Sequence, residues 1–186
     1  MAVKTFTSEV LTSADVNTYL ANSGLVYVTN ATATSGTSLS VNNCFTSTYS
    51  AYRIVVTRCT IGAVSGMNMR MRASGTDQAT LYYNIRSGYN YATSAADVSA
   101  VNNGTEWNLP LISDTTSAAC VIDIYNPQEA HKTQYSAQGS DSRTAGVGAL
   151  VSGGMLNNTT AYDGFTIYSG QTITSLNLTV YGYRKG

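Results

Sequence analysis

Apolar and polar residues alternate along most of the chain from Leu25 onward, and clusters of Gly, Asn, Ser and Asp separate the alternating runs. In Met67–Arg72, the three methionines occupy every second position and polar residues occupy the others. Leu176, Leu178 and Val180 alternate with polar residues in the same way. Successive side chains of a β-strand point to opposite faces, so this period of two predicts strands that bury one face in a core.

The same criterion predicts ten strands, with no helical pattern between them. Their predicted bounds are Leu25–Thr29, Ser38–Val41, Arg53–Ile61, Met67–Ala73, Thr80–Arg86, Ala119–Tyr125, Thr133–Ala137, Val147–Val151, Gly164–Tyr168 and Leu176–Tyr183. Many short strands joined by turns favour an antiparallel β-sandwich of the jelly-roll type over a parallel α/β sheet. We therefore expect an all-β domain over residues 25–186.

A less regular stretch, Ser87–Ser117, is interrupted by two glycines and a proline. It predicts a long loop region, which is where binding residues are often placed. Its single tryptophan, Trp107, either closes one end of the sandwich or offers a face to a partner. In the second interpretation, Tyr89, Tyr91 and Trp107 are the candidate contacts to a glycan or to another protein.

A helical pattern is found only near the start of the chain. With Thr12 as the N-cap, Asp15 falls at the third helical position, where its carboxylate meets the positive end of the helix dipole. A helix of about two turns is unstable alone in water, so we expect it to dock on the domain behind it or on a neighbouring subunit. Residues 1–24 are thus predicted to be a docking segment, with a short helix whose contacts are Leu11, Val16, Tyr19 and Leu20.

Charged residues make up only 11% of the chain, against about 25% in an ordinary soluble domain. Ten Lys and Arg balance ten Asp and Glu. A nucleic-acid partner is not expected, because neutralising phosphates requires a basic surplus on one face. Hydroxyl and amide side chains replace the charge, and such a neutral surface tolerates close neighbours in an assembly.

No apolar run is long enough for a signal-peptide core or a spanning helix, so we expect a protein made in a cytoplasm and not inserted in a membrane. The three cysteines, Cys44, Cys59 and Cys120, are widely spaced and flanked by apolar or strand-forming residues. They are predicted to be buried free thiols in strands.

The sequence contains no recognisable catalytic or cofactor-binding motif. The only histidine, His131, would need a serine such as Ser136 and an acid such as Asp123, yet no G-x-S-x-G surrounds any candidate serine. A surface or strand-edge histidine is the better prediction. The glycine-rich run Gly146–Gly154 lacks the P-loop lysine and is predicted to bend or thin a strand. We expect no catalytic residues, no cofactor and no transition-metal site; a Ca²⁺ held by a lone aspartate and loop carbonyls stays open.

The chain contains fourteen tyrosines, a conspicuous excess. Aromatic rings beside hydroxyl and amide side chains suit protein interfaces and carbohydrate faces. Tyrosine is equally a favoured strand residue that packs its ring and leaves its hydroxyl in water. Composition does not separate these two interpretations.

The segment Glu9–Leu20 resembles the opening motif E-V-L-T-x-A-D-V-N-x-Y-L of many virion structural and tail-associated proteins of tailed bacteriophages. The body is similar to small phage structural proteins in short pieces spread over nearly the whole chain. These pieces are Tyr49–Val56, Met69–Asp77, Ile124–Pro127, Tyr162–Ile167 and Val180–Tyr183. One departure is Ser8, where the opening often has Gly.

This resemblance implies a virion protein that is anchored to the particle by its N-terminal segment. A tail-associated fibre or host-attachment accessory is the first expectation, and a capsid decoration or head-fibre protein is an alternative. A carbohydrate-binding module acting in host adsorption is a further alternative. The implied partners are other tail or capsid proteins and two further copies in a homotrimer, and the carbohydrate-binding alternative would add a host surface glycan. The family carries no catalytic residues, and no enzymatic activity is expected.

Overall fold

The computed structural model describes residues 24–144 and 146–184. The predicted N-terminal helix and its docking residues Leu11, Val16, Tyr19 and Leu20 lie outside them. In the described part of the chain all regular structure is β, and no helix is present. The strands are β1 (Leu25–Ala33), β2 (Ser38–Val41), β3 (Tyr49–Ile61), β4 (Ser65–Ala73), β5 (Thr76–Asp77), β6 (Tyr82–Asn90), β7 (Ala95–Gly104), β8 (Trp107–Ser113), β9 (Ala118–Tyr125), β10 (Gln134–Arg143), β11 (Gly146–Leu156), β12 (Gly164–Ser169) and β13 (Ile173–Arg184).

The strands form one continuous sheet that is nearly a barrel. Its path runs β1-β13-β3-β9-β10-β8-β4-β12-β2, and β11, β6 and β7 branch from β10. Strands β1 and β2 lie close together, so the two ends of the path approach each other. Every described pair is antiparallel except for one parallel contact between β10 and β8, at Asp141 and Ile112.

Two sides of this sheet enclose a single core. The broad side is β1-β13-β3-β9-β10-β11-β6-β7 in spatial order, and the narrow side is β2-β12-β4-β8, with β5 paired to β4. Each fully buried aliphatic side chain contributes roughly 1.5–3 kcal/mol to folding. Inward-facing residues from both sides form the core, among them Ile54, Ile122 and Leu176 from the broad side and Met67, Met69, Met71, Phe165 and Ile167 from the narrow side.

The all-β prediction is confirmed, and each of the ten predicted strands overlaps an observed one. The predicted loop over Ser87–Ser117 is wrong, because it contains the end of β6 and all of β7 and β8. Strand β8 is buried on both faces over most of its length and therefore shows no alternation. Pro110 is tolerated there because it lies at an irregularity of the β4–β8 pairing, where no ladder hydrogen bond is required.

The three cysteines are buried and free, as predicted, although Cys44 follows β2 instead of lying in a strand. Burial raises the pKa of the Cys44 and Cys59 thiols to about 12. At neutral pH these groups stay protonated and act as small apolar side chains. His131 is exposed between β9 and β10, in agreement with the surface prediction.

Candidate functional site

The outward face of the broad side carries the residues that best suit binding. Because strand pairing is in register, side chains from successive strands line up in rows across this face. One row crosses β13, β3, β9 and β10 through Tyr181, Arg53, Asp123 and Ser136. A neighbouring row crosses β3, β9 and β10 through Val55, Val121 and Gln138.

The first row is centred on an ion pair. The Arg53 guanidinium donates to Asp123 through Nε at 2.8 Å and through Nη2 at 2.7 Å. This two-point geometry fixes both side chains and is stronger than a single contact. Burial would raise the pKa of the Asp123 carboxyl, but the hydrogen bonds from Arg53 and Tyr183 outweigh it and hold the pKa below its ordinary value. Asp123 is therefore ionised at neutral pH.

Two tyrosines lie near this ion pair, one hydrogen-bonded to Asp123 and the other to Ser136. Tyr183 donates from its hydroxyl to Asp123 Oδ1 at 2.9 Å, and its ring lies 5.6 Å from the Arg53 guanidinium carbon. On the other side, the Tyr125 hydroxyl lies 3.2 Å from Ser136 Oγ. Tyr125 remains 38% exposed, so part of its ring is open to solvent. Donors from two other strands, β3 and β13, thus hold the carboxylate of β9, and Ser136 of β10 is paired in register with it.

An open groove of about 850 Å³ runs along the face beside the ion pair. We call it the tyrosine groove, and define it as Arg53, Val55, Val121, Asp123, Ser136 and Gln138 together with the flanking Tyr125 and Tyr183. Its volume lies within the range of about 300–1,000 Å³ that is typical of ligand sites. Val55 and Val121 form an apolar floor, and the ion pair with Ser136 forms a polar end wall.

Beyond β10, the same face becomes apolar. We call the outward side chains of β11, β6 and β7 the apolar wing. They are Ala149, Val151, Gly153, Met155, Tyr83, Ile85, Ser87, Tyr89, Ala96, Val98 and Ala100. None of them is charged, and Ile85, Tyr89 and Val98 are between 59% and 68% exposed. A second depression, around Gly153 and flanked by Tyr83, Ile85 and Met155, lies within this wing.

The predicted contact residues are not brought together. Tyr89 lies on the apolar wing, and Tyr91 lies in the exposed turn between β6 and β7. Trp107 is fully buried, stacked on Tyr135 at a centroid distance of 4.5 Å and edge-on to Tyr82 at 5.3 Å. The proposed stacking role of Trp107 does not fit this position, because a ring with no exposed surface offers no face to a glycan. The alternative interpretation, in which Trp107 packs inside the domain, agrees with this burial.

The residues of the tyrosine groove were not identified as site residues from the sequence. A signal was present, since Arg53 and Asp123 are charged residues that alternate with buried apolar residues in their strands. The sequence does not reveal that β3 pairs with β9 and with β13, each of which lies more than fifty residues away from β3 along the chain. That pairing alone places Tyr183 beside Arg53.

Most other arginines are held in ion pairs that support the fold. On the narrow side, Arg72 donates to Asp77, Thr166, Ser40 and Asn42, which uses much of its hydrogen-bonding capacity. Further pairs are Arg70–Glu106, Arg86–Asp97 and Arg143–Asp141. These cations do not combine into one basic patch.

Within residues 24–144 and 146–184, no group of three or more His, Cys, Asp or Glu residues is placed to hold a metal ion. No helix in that part of the chain is long and apolar enough to cross a membrane. The chain matches no protein-family model, no curated protein and no solved structure. Its function must therefore be inferred from its own residues.

Proposed function

We propose that the protein is a structural component of a tailed-bacteriophage virion, a tail-associated fibre or host-attachment accessory anchored by residues 1–24. The apolar wing is the observation that supports this proposal. Its eleven outward positions cover about 350 Å² of sheet, from the spacing of strands and of alternate residues. The largest apolar patch of a typical monomer covers about 300–600 Å² and is often functional, so the wing is a candidate surface for protein association. A subunit of an assembly would cover the wing with a neighbour.

We further propose that eight of the strands form a jelly roll. What supports this is nested pairing: β1 pairs with β13, β2 with β12, β3 with β9 and β4 with β8. The jelly roll is a recurrent fold of viral capsid and lectin domains. Strands β5–β7 are then an insertion between the fourth and fifth core strands, and β10–β11 an insertion between the sixth and seventh. These two insertions together supply the apolar wing.

Binding is proposed here in preference to catalysis. The lining of the tyrosine groove contains one carboxylate, Asp123, which is ion-paired to Arg53. Glycoside hydrolysis commonly uses two carboxyl groups about 5–9 Å apart, one of them protonated. An ionised and paired Asp123 supplies neither the second group nor the proton. Release of reducing ends from a polysaccharide by the purified protein would contradict this part of the proposal.

Incorporation into particles tests the proposed role directly. Virions carrying a tagged full-length chain are purified by density gradient, and the tag is located by immunogold imaging. Labelling of the tail supports an attachment accessory, whereas labelling of the head supports the alternative of a capsid decoration or head-fibre protein. Absence of the tag from purified virions would overturn the virion proposal.

The anchoring role of the N-terminal segment needs a separate variant. A chain lacking residues 1–22 should retain the β-sheet circular dichroism spectrum and a cooperative thermal transition, but should be absent from particles. Normal incorporation of the folded, truncated chain would show that the anchor lies elsewhere.

A further inference from the structure

The tyrosine groove combines an apolar surface with a few placed polar groups, as ligand sites commonly do. Its floor is apolar at Val55 and Val121, whereas its end wall presents a guanidinium, a carboxylate and a hydroxyl. A pyranose ring has the matching construction, with C–H groups on its faces and hydroxyls around its rim. A sugar lying on the floor would direct its rim hydroxyls toward Arg53, Asp123 and Ser136.

The end wall has hydrogen-bonding capacity to spare. A guanidinium carries five N–H donors, and Arg53 directs one from Nε and one from Nη2 at Asp123. Asp123 Oδ2 accepts from Arg53 and has a further lone pair. Arg53 and Asp123 hold each other in place before any ligand arrives. A sugar hydroxyl that donates to Asp123 and accepts from Arg53 would therefore bind with little reorganisation of these two side chains.

The flanking rings are similarly fixed. Tyr183 is tied to Asp123 by its hydroxyl, and Tyr125 is tied to Ser136. Tyrosine provides a large contact area with few rotatable bonds, so little conformational entropy is lost when a ligand packs against it. Tyr125 lies two residues beyond Asp123 on β9, on the side of the end wall away from the floor, and its ring, 38% exposed, is available to a sugar unit that extends past the wall.

We infer that the tyrosine groove binds neutral pyranose sugars of a surface polysaccharide. Neutral sugars are favoured because Arg53 and Asp123 cancel each other's charge and are the only charged residues in the groove lining. This inference rests on the proposed function, since an attachment protein needs a surface ligand. It assigns that ligand to residues other than Tyr89, Tyr91 and Trp107.

Native gel electrophoresis through immobile polysaccharide tests the inference on the full chain. The probes are dextran, laminarin, galactomannan and galactan as neutral polymers, with polygalacturonate as the anionic comparison. We expect retardation by at least one neutral polymer and none specific to polygalacturonate. Tyr125→Ala should weaken the binding about tenfold, and Tyr125→Phe, which keeps the ring, should largely restore it. Asp123→Asn, which breaks the two-point pairing, should also weaken it.

Tyr91→Ala is the control, because it removes an exposed tyrosine ring that lies in the turn between β6 and β7, outside both the groove and the apolar wing. It should bind as the wild type does. The inference is overturned if none of the neutral polymers retards the protein, if only polygalacturonate does, or if Tyr91→Ala abolishes binding while Tyr125→Ala does not. Particle incorporation is measured separately, so a chain that joins virions but binds no sugar refutes the sugar site and leaves the virion role standing.

Discussion

At the scale of single residues, Trp107 is the largest fully buried side chain of the described core. Its ring packs on Tyr135 and Tyr82, and its indole N–H donates to the Met155 carbonyl at 3.2 Å. Trp107→Ala would leave a cavity and remove this hydrogen bond, and should lower the free energy of unfolding by about 3–5 kcal/mol. Urea titration followed by circular dichroism measures this loss.

The control for Trp107→Ala is Tyr91→Ala, at an exposed position in a turn. It should change the free energy of unfolding by no more than about 0.5 kcal/mol. Equal stability of the Trp107→Ala variant and the wild type would contradict the burial of this ring.

A single carboxylate joins two turns near one end of the sheet. Asp114 accepts hydrogen bonds from the Thr144 N–H and hydroxyl at 2.8 and 2.9 Å, and from the Thr116 N–H and hydroxyl at 2.7 Å each. These donors, the Thr144 N–H foremost, hold the pKa of Asp114 well below its ordinary range. Folding is therefore stabilised by ionised Asp114.

This depressed pKa has a definite sign in pH-dependent stability. The stabilisation is fully present above the unfolded-state pKa of about 3.9, and it is lost as the pH falls from there toward the folded-state value. Melting temperatures measured between pH 6 and pH 2.5 should show the wild type losing more stability than Asp114→Asn, which is already destabilised at pH 6. Parallel melting curves for the two proteins would show that Asp114 does not carry this effect.

At the scale of elements, β11 approaches β6 so closely that one of its glycines cannot be replaced. A Cβ at Gly154 would lie 2.1 Å from the Tyr83 carbonyl oxygen and 2.7 Å from Asn84 Cα, both backbone atoms. Gly154→Ala should therefore separate the two strands and lower the melting temperature markedly. At the adjacent Gly153, the nearest atom to a new Cβ is 3.4 Å away, so Gly153→Ala is the matched control.

Thermal melts of the two alanine variants compare these sites directly. Gly153→Ala should melt near the wild type and Gly154→Ala well below it. This order of melting temperatures would also support the prediction that the glycines of Gly146–Gly154 thin a strand, because these glycines lie in β11. Equal melting temperatures would mean that β11 and β6 are farther apart than described.

The strands that alternate cleanly could be predicted from the sequence, and the others could not. In β4 every methionine is buried and every second residue is polar, so the period of two identifies both the strand and its face. In β7 the outward residues are Ala96, Val98 and Ala100, and small side chains give too weak a contrast to reveal a period. The tyrosine groove depends on register between distant strands, which no local pattern encodes.

At the scale of the whole molecule, the apolar wing bears on the predicted homotrimer. A trimer would have a mass of about 59 kDa, three times the 19.7 kDa of the chain. Val98 lies in the wing and is 68% exposed in the single chain. If a second copy covers it, Val98→Lys would bury an unpaired charge and dissociate the assembly.

Light scattering coupled to size-exclusion chromatography distinguishes the outcomes. The wild type should elute as a trimer, and Val98→Lys as a monomer with an unchanged circular dichroism spectrum. Val64→Lys is the control, because Val64 is 55% exposed in the turn between β3 and β4, away from the wing. A monomeric wild type, or dissociation by Val64→Lys alone, would contradict assembly through the wing.

The pairing of β1 with β13 sets the order of events during synthesis. About 160 residues separate the start of β1 from the end of β13, which corresponds to roughly 8–30 s of translation at the usual bacterial and eukaryotic rates. Until β13 leaves the ribosome, β1 lacks its pairing partner and β3 lacks one of its two, because β13 lies between them. The sheet can therefore close only after β13 has been synthesised, and a nascent chain stopped before Ile173 should remain sensitive to protease.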